Sequence, residues 1–267
     1  MNIKSIRRKW ECFFQKWEGN NESSRSVIGD MNMSNMCSQI KAALLNRGAS
    51  LVAFADLIQM PADVRHSMRF AISIAVALDP SIIAEVRTGP TPEYYSEYRR
   101  ANALLSDLAK FAANMLKDYG FQAIPKEPTH VGIDPKTHST ILPHKTIATR
   151  AGLGWIGKCA LLVTEEYGSA IRLTTVLTDA ELETATPTDR QICGDCMVCV
   201  NLCPGNAPSG RNWNVNVHRD LFFNAFACAR AARECAVTKI GVDDTFCGIC
   251  ISVCPWTIKY IKRQGDK

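Results

Sequence analysis

Cys193-Gly-Asp-Cys196-Met-Val-Cys199-Val-Asn-Leu-Cys203-Pro204 is the stretch on which the reading of this sequence turns. Cys193, Cys196 and Cys199 recur at every third position, so one tight loop can aim three thiolates at three irons of a single cube. Cys203, one step further along and followed by proline, points away toward a second cluster. A structural zinc site would instead set two separated C-x2-C pairs across a long spacer. Downstream, Cys247-Gly-Ile-Cys250-Ile-Ser-Val-Cys254-Pro255 repeats the end of the pattern, but Asp244 stands where its first cysteine would fall. A second cube still needs a fourth thiolate, and Cys228 and Cys235 are the candidates, both on an Ala-rich helical stretch from Phe222 to Val237. The crossed logic of such pairs assigns Cys193, Cys196, Cys199 and Cys254 to one [4Fe–4S] cluster. It assigns Cys203, Cys247, Cys250 and either Cys228 or Cys235 to the other.

Of the 12 cysteines in 267 residues, only Cys12, Cys37 and Cys159 precede this region, and those three read as buried small hydrophobes. A secreted disulfide scaffold would spread its cysteines through a short chain behind a signal peptide. Here the start is basic and amphipathic (Lys4, Arg7, Arg8 and Lys9, then Trp10, Phe13, Phe14 and Trp17), with no apolar run long enough for a signal peptide or a membrane span. The expected location is the reducing cytoplasm. The formal net charge of +5 does not argue for a polyanionic partner. Each cube with its four thiolates carries about −2, so the loaded protein sits near +1.

Residues 1–33 read as an extension. From Ser34, a plausible N-cap, apolar positions Met36, Ile40, Ala43 and Leu44 fall at helical spacing up to Gly48. Leu51–Ala55 and Phe70–Leu78 read as buried strands, and Glu93–Tyr119 as a long helix with Leu104, Leu105, Leu108, Phe111, Ala112, Met115 and Leu116 on one face. Phe121–Ile124, Leu161–Thr164 and Ile171–Leu177 supply further strand signals. Gly132–His144, rich in Pro, Thr and His, reads as a functional loop. The fold expected is α+β: a layered α/β domain over 34–185, then a ferredoxin-like domain with two [4Fe–4S] clusters over 186–267, with the boundary in the polar stretch Thr184–Arg190.

Four segments in this order, Ala151-Gly-Leu-Gly-Trp-Ile-Gly-Lys158, Glu166-Tyr-Gly-Ser169, Val176-Leu-Thr-Asp179 and Val253-Cys-Pro-Trp256, resemble epoxyqueuosine reductase over roughly residues 50–260. Reductive dehalogenases are similar at a greater distance. The resemblance implies an N-terminal domain that binds cobalamin base-off, fed by the two clusters, with Cys228 rather than Cys235 as the fourth ligand. It implies a reductase that takes low-potential electrons from a donor such as ferredoxin or flavodoxin. The family's general-acid position falls on His138, with Asp134 close before it. His144 and Lys145 depart from the family pattern and are expected to line the site. On the residues alone, Gly152, Gly154 and Gly157 permit close approach of a bulky cofactor and Trp155 offers it a flat wall, with Lys158 at its edge. The family's C-terminal helical repeats, which grip tRNA, have no counterpart after Val253–Trp256, so the expected substrate is a small molecule and not tRNA. The competing expectations are an electron-transfer protein without cobalamin, and a flavin in the α/β domain.

Overall fold

The computed structural model describes residues 33–129 and 132–265; the expected basic helix of the extension, and Cys12, lie outside the described residues. The first helix, α1, spans Met33–Asn46 and buries Met36, Cys37, Ile40 and Leu44. Strands β1 (Leu51–Asp56) and β2 (Phe70–Ala77) pair antiparallel, Leu51 opposite Ala75 and Asp56 opposite Phe70. A short helix, α2 (Pro80–Ala84), opens on the Asp79 carboxylate, which accepts the N–H groups of Ser81 and Ile82. Then comes α3, Pro92–Asp118, 27 residues and about 40 Å long. Thr91 caps it by accepting the Tyr94 N–H, and Pro92 sits where a missing N–H costs nothing.

Strand β3 (Ala123–Lys126) lies two residues beyond the expected position, because Phe121 is still closing the helix: its N–H bonds to the Leu116 carbonyl at 3.0 Å, past Gly120 at φ +88°. The sequence also missed α4, His144–Arg150, and the two-residue strand β4, Trp155–Ile156, which pairs with β5, Leu162–Val163. Strand β6 is Ile171–Thr178, and the main sheet runs β1-β2-β6-β3, every pairing antiparallel. An antiparallel sheet with helices against it is an α+β arrangement.

Alternation along the interior strand β2 sorts the two faces. Phe70, Ile72, Ile74 and Val76 point into the core shared with α1 and α3, whereas Ala71 and Ala75 face α4 and the glycine-rich loop after it. Small residues on that second face let α4 sit close, which fixes the loop 151–158 between sheet and cysteine region.

The cysteine region is stitched to the same core. It contains the short helix α5 (Val198–Asn201), α6 (Ala225–Ile240), α7 (Ile249–Ser252) and α8 (Pro255–Gly265). Helix α6 starts three residues later than expected because Phe222 and Phe223 complete a preceding 3-10 turn and Asn224 caps it, accepting the Ala227 N–H at 3.0 Å. Ala236, Phe246, Ile251 and Tyr260 join the core of the sheet and α3. Phe246 stacks on Tyr94 at 4.4 Å, and the Tyr260 hydroxyl donates to the Leu78 carbonyl at 3.0 Å. The proposed units 34–185 and 186–267 therefore differ in composition while sharing one core.

Candidate iron–sulfur and redox site

The first cysteine loop is shaped by Gln191, whose side-chain oxygen accepts the backbone N–H groups of both Cys193 and Gly194, the latter at φ +54°. The Cys196 N–H returns to the Cys193 carbonyl at 3.1 Å, and one turn of α5 carries the chain to Cys203, whose sulfur accepts the Ala207 N–H at 3.4 Å. The second loop is anchored at Gly248. Its φ of +89° favours glycine, and a Cβ there would stand 2.5 Å from the Tyr94 ring.

These loops bring distant thiols together. Burial pushes the Cys254 thiol up, and the neighbouring Cys193 and Cys199 push it further. Burial likewise raises Cys228, with Cys203 beside it and Lys145 opposing. Cys247, pushed up to about 12 chiefly by burial, has Cys235 in hydrogen-bond contact and Cys228 nearby. Cys254 thus joins the first loop although it lies in the second motif, and Cys228 joins Cys203 and Cys247. Cys235 also reaches Cys247, so proximity alone does not separate the two candidates for the fourth ligand.

Cys159 corrects the reading as a mere apolar filler. It is buried, but its thiol is in hydrogen-bond contact with both Cys199 and Cys250; the Cys199 contact lowers its pKa, while the Cys250 contact and burial outweigh it and hold the thiol well above its ordinary value. No sequence signal marked it, since its partners come from two distant loops.

Among the described residues all cysteines are free, and no three Cys, His, Asp or Glu side chains converge as tightly as a single ion requires. A cube spreads its four thiolates over four irons, so the looser sets here suit it. The Trp155 indole N–H, buried beside Cys193 and Cys254 without an acceptor among the described residues, fits a sulfur-rich anion there as well. The residues present fit iron–sulfur clusters.

The glycine loop packs closely on its surroundings. Its glycines meet protein, not an open cradle: a Cβ would stand 2.7 Å from the Thr186 carbonyl oxygen at Gly152, 2.1 Å from that of Val163 at Gly154, and 2.9 Å from Val163 Cγ2 at Gly157. Trp155 is only 1% exposed and packs edge-on against Trp256, so it offers no wall to an outside ligand. Lys158 is buried too, reaching Met197 Sδ at 3.5 Å. Of the residues assigned to a corrinoid from sequence, Gly154, Trp155, Gly157 and Lys158 are therefore buried against protein.

His144 is engaged through both ring nitrogens, Nδ1 with Thr175 Oγ1 and Nε2 with the Glu127 carbonyl, each at 2.9 Å, and burial lowers its pKa. Lys145 donates to the Ala160 carbonyl at 2.6 Å; burial brings its pKa down to about 8, with Arg219 adding repulsion and Cys159 and Cys228 opposing. The loop carrying Asp134 and His138 is exposed. The Asp134 carboxylate accepts from the Lys136 N–H at 2.8 Å and Thr137 Oγ1 at 3.1 Å, and its backbone bridges Ser139. Sequence reasoning missed the clamp on this loop: Arg219 donates to the carbonyls of Thr137 and His138 at 2.6 and 2.7 Å, and the His138 ring lies 4.5 Å from Phe226 on α6, one half-turn before Cys228.

No protein-family model matches the chain. Epoxyqueuosine reductase of Aliivibrio fischeri is 33% identical over 178 residues, 66% of this chain and 46% of that protein. The enzyme of that name from Escherichia coli K12 is 29% identical over 187 residues, 69% of this chain and 48% of its own length. Among solved structures, a catabolic reductive dehalogenase in complex with 3-bromo-4-hydroxybenzoic acid has TM-score 0.64 at 17% identity, covering 84% of this chain and 32% of its own. An epoxyqueuosine reductase solved with an epoxyqueuosine-modified tRNA-Tyr stem loop has TM-score 0.57 at 18% identity, covering 85% of this chain and 66% of its own. That last structure, solved with a modified tRNA stem loop, overturns the expectation against tRNA, and the small-molecule expectation falls with it. No helix among the described residues is long and apolar enough to cross a membrane. The chain is homologous to epoxyqueuosine reductase, and it spans about half the length of the curated relatives it matches.

Proposed function

We propose that this chain is an iron–sulfur reductase of the epoxyqueuosine reductase type, with two [4Fe–4S] clusters and a tRNA-borne epoxide as the substrate to test first. The observation that carries this reading is the crossing of the thiols, Cys254 beside Cys193 and Cys199, and Cys228 beside Cys203 and Cys247. When bound, the clusters supply electrons one at a time. Removing an epoxide oxygen as water takes two electrons and two protons, so a proton donor must stand near the electron exit. The loop with Asp134 and His138 is the candidate, because Arg219 and Phe226 hold it against the helix that carries Cys228. Asp134 or His138 would give the proton from the exposed side of that loop. His144, bonded through both nitrogens, positions α4 against β6 and is not proposed as an acid.

A corrinoid, implied by the resemblance, would supply a metal centre for the same electrons, although Thr186 and Val163 already occupy the space beside Gly152 and Gly154. The same filling favours the second reading, an electron-transfer protein without cobalamin. Reconstituted full-length protein, reduced by flavodoxin and incubated with an epoxyqueuosine-containing tRNA stem loop with and without cobalamin, separates the two. Loss of the epoxide supports the reductase, and its dependence on cobalamin decides the corrinoid. Clusters that reduce and reoxidise with no turnover under either condition support the carrier.

A further inference from the structure

We propose that Trp155 and Lys158 set the reduction potential of the first cluster, the one held by Cys193, Cys196, Cys199 and Cys254, and make it the more easily reduced of the two. The inference rests on the proposed cluster pair and concerns what surrounds it.

Trp155 and Lys158 sit on one loop, three positions apart, and both are buried, Trp155 with its N–H unmet and Lys158 with only a weak partner. Trp155 is 1% exposed, and its indole N–H has no acceptor among the described residues. A buried donor left unpaired keeps its whole desolvation penalty, which is why such groups nearly always have a partner. The ring packs in one group with Cys254 and Cys193. Lys158 is 4% exposed, with the Met197 thioether at 3.5 Å as its hydrogen-bond partner. A thioether is a weak acceptor, and no carboxylate among the described residues pairs with this ammonium. Its charge bears instead on Cys199. A donor and a cation, each buried and each lacking an anion, converge on thiols of the same set. One group meets both needs: a cube whose sulfurs accept hydrogen bonds and whose thiolates leave it a net negative charge.

Reduction adds a further electron to that cube. An N–H bond to sulfur and a nearby ammonium both stabilise the more negative state, so they raise the potential. Beside the second set Lys145 bears on Cys228, but it already donates to the Ala160 carbonyl at 2.6 Å, and among the described residues no second buried side-chain N–H lacks an acceptor. Gly157 lies on the same side: a Cβ there would meet Cys193 Sγ at an ordinary contact distance of 3.7 Å, which places this loop against a ligand of the first set.

The test is an EPR-monitored redox titration of the reconstituted full-length protein, with Trp155→Phe and Lys158→Met. Phe keeps the aromatic contact with Trp256 and removes only the donor; Met keeps the length of Lys158 and removes the charge. Each variant is expected to hold its full iron and to show the reduced-to-oxidised ratio of one cluster falling about tenfold at a fixed potential, about 59 mV for a one-electron couple, while the other cluster stays put. Full iron with both midpoints unmoved overturns the inference and leaves the cluster reading intact. A chain that takes up no iron sinks both. Should Trp155→Phe shed its cluster, the double variant Trp213→Phe and Trp256→Phe carrying 15N-indole tryptophan, in which Trp155 is the tryptophan left in that group, decides the matter by pulsed EPR. A 15N coupling to the reduced first cluster supports the hydrogen bond, and its absence overturns it.

Discussion

A cysteine's place in a motif does not say which cluster it serves, and Cys254 tests the difference. It closes the second motif, yet its thiol lies with Cys193 and Cys199. Replacing Cys254 by Ala is expected to remove the same cluster as replacing Cys196, about half of the iron, with the EPR signal of the other cluster retained; loss of the opposite signal would refute the crossing. Cys228→Ala is expected to cost the other half, while Cys235→Ala retains full iron, read by iron and sulfide assay. His144 carries a pH prediction. Burial lowers its pKa, so the folded chain keeps the ring neutral while the unfolded chain protonates it below about 6.5. The unfolded state then binds more protons, and stability falls as pH drops from about 7 toward 5. In His144→Gln, which retains a donor and an acceptor, that part of the loss is expected to vanish from thermal melts.

At the scale of elements, the glycine loop and the paired strands β4 and β5 hold Trp155 against the thiols. A methyl at Gly154 would stand 2.1 Å from the Val163 carbonyl oxygen, so Gly154→Ala must separate β4 from β5. The expected cost is about 3 kcal/mol, read as a lower unfolding midpoint, with faster iron loss because Trp155 moves. The sequence made the long elements legible for a physical reason: β2 is an apolar run of eight residues broken only by Ser73, and α3 repeats its apolar face over seven turns, so each pattern averages out local noise. Short elements lack that averaging. Helix α4 has no side-chain cap and follows Pro143, and β4 is two residues long. The loop 151–158 was legible as a place of close approach, but spacing cannot tell whether a missing Cβ faces a ligand or the backbone of Val163. Cys159 was opaque for the same reason, since Cys199 and Cys250 reach it only in the folded chain.

For the whole molecule, the two stretches distinguished by composition share a core through Phe246, Ile251 and Tyr260. Clusters bound by these thiols would therefore stabilise the sheet as well as their own loops. Stripping the iron anaerobically with a chelator is expected to lower the melting of the entire chain, with far-UV and near-UV dichroism falling together; a sheet that melts unchanged after iron removal would mean that the shared core does not couple them. Both cysteine motifs were plain in the sequence, whereas the substrate was not: no residue pattern marks it, and the reading against tRNA is overturned by the tRNA-bound relative.

The measurement that bears most directly on the account is the iron and sulfide content of the anaerobically reconstituted chain together with its Mössbauer and EPR spectra. The account predicts about eight irons and eight sulfides per chain in two [4Fe–4S] clusters, with the two reduced centres close enough to broaden each other's signals. Four irons in a single cluster, or a chain that takes zinc in preference to iron, would contradict it.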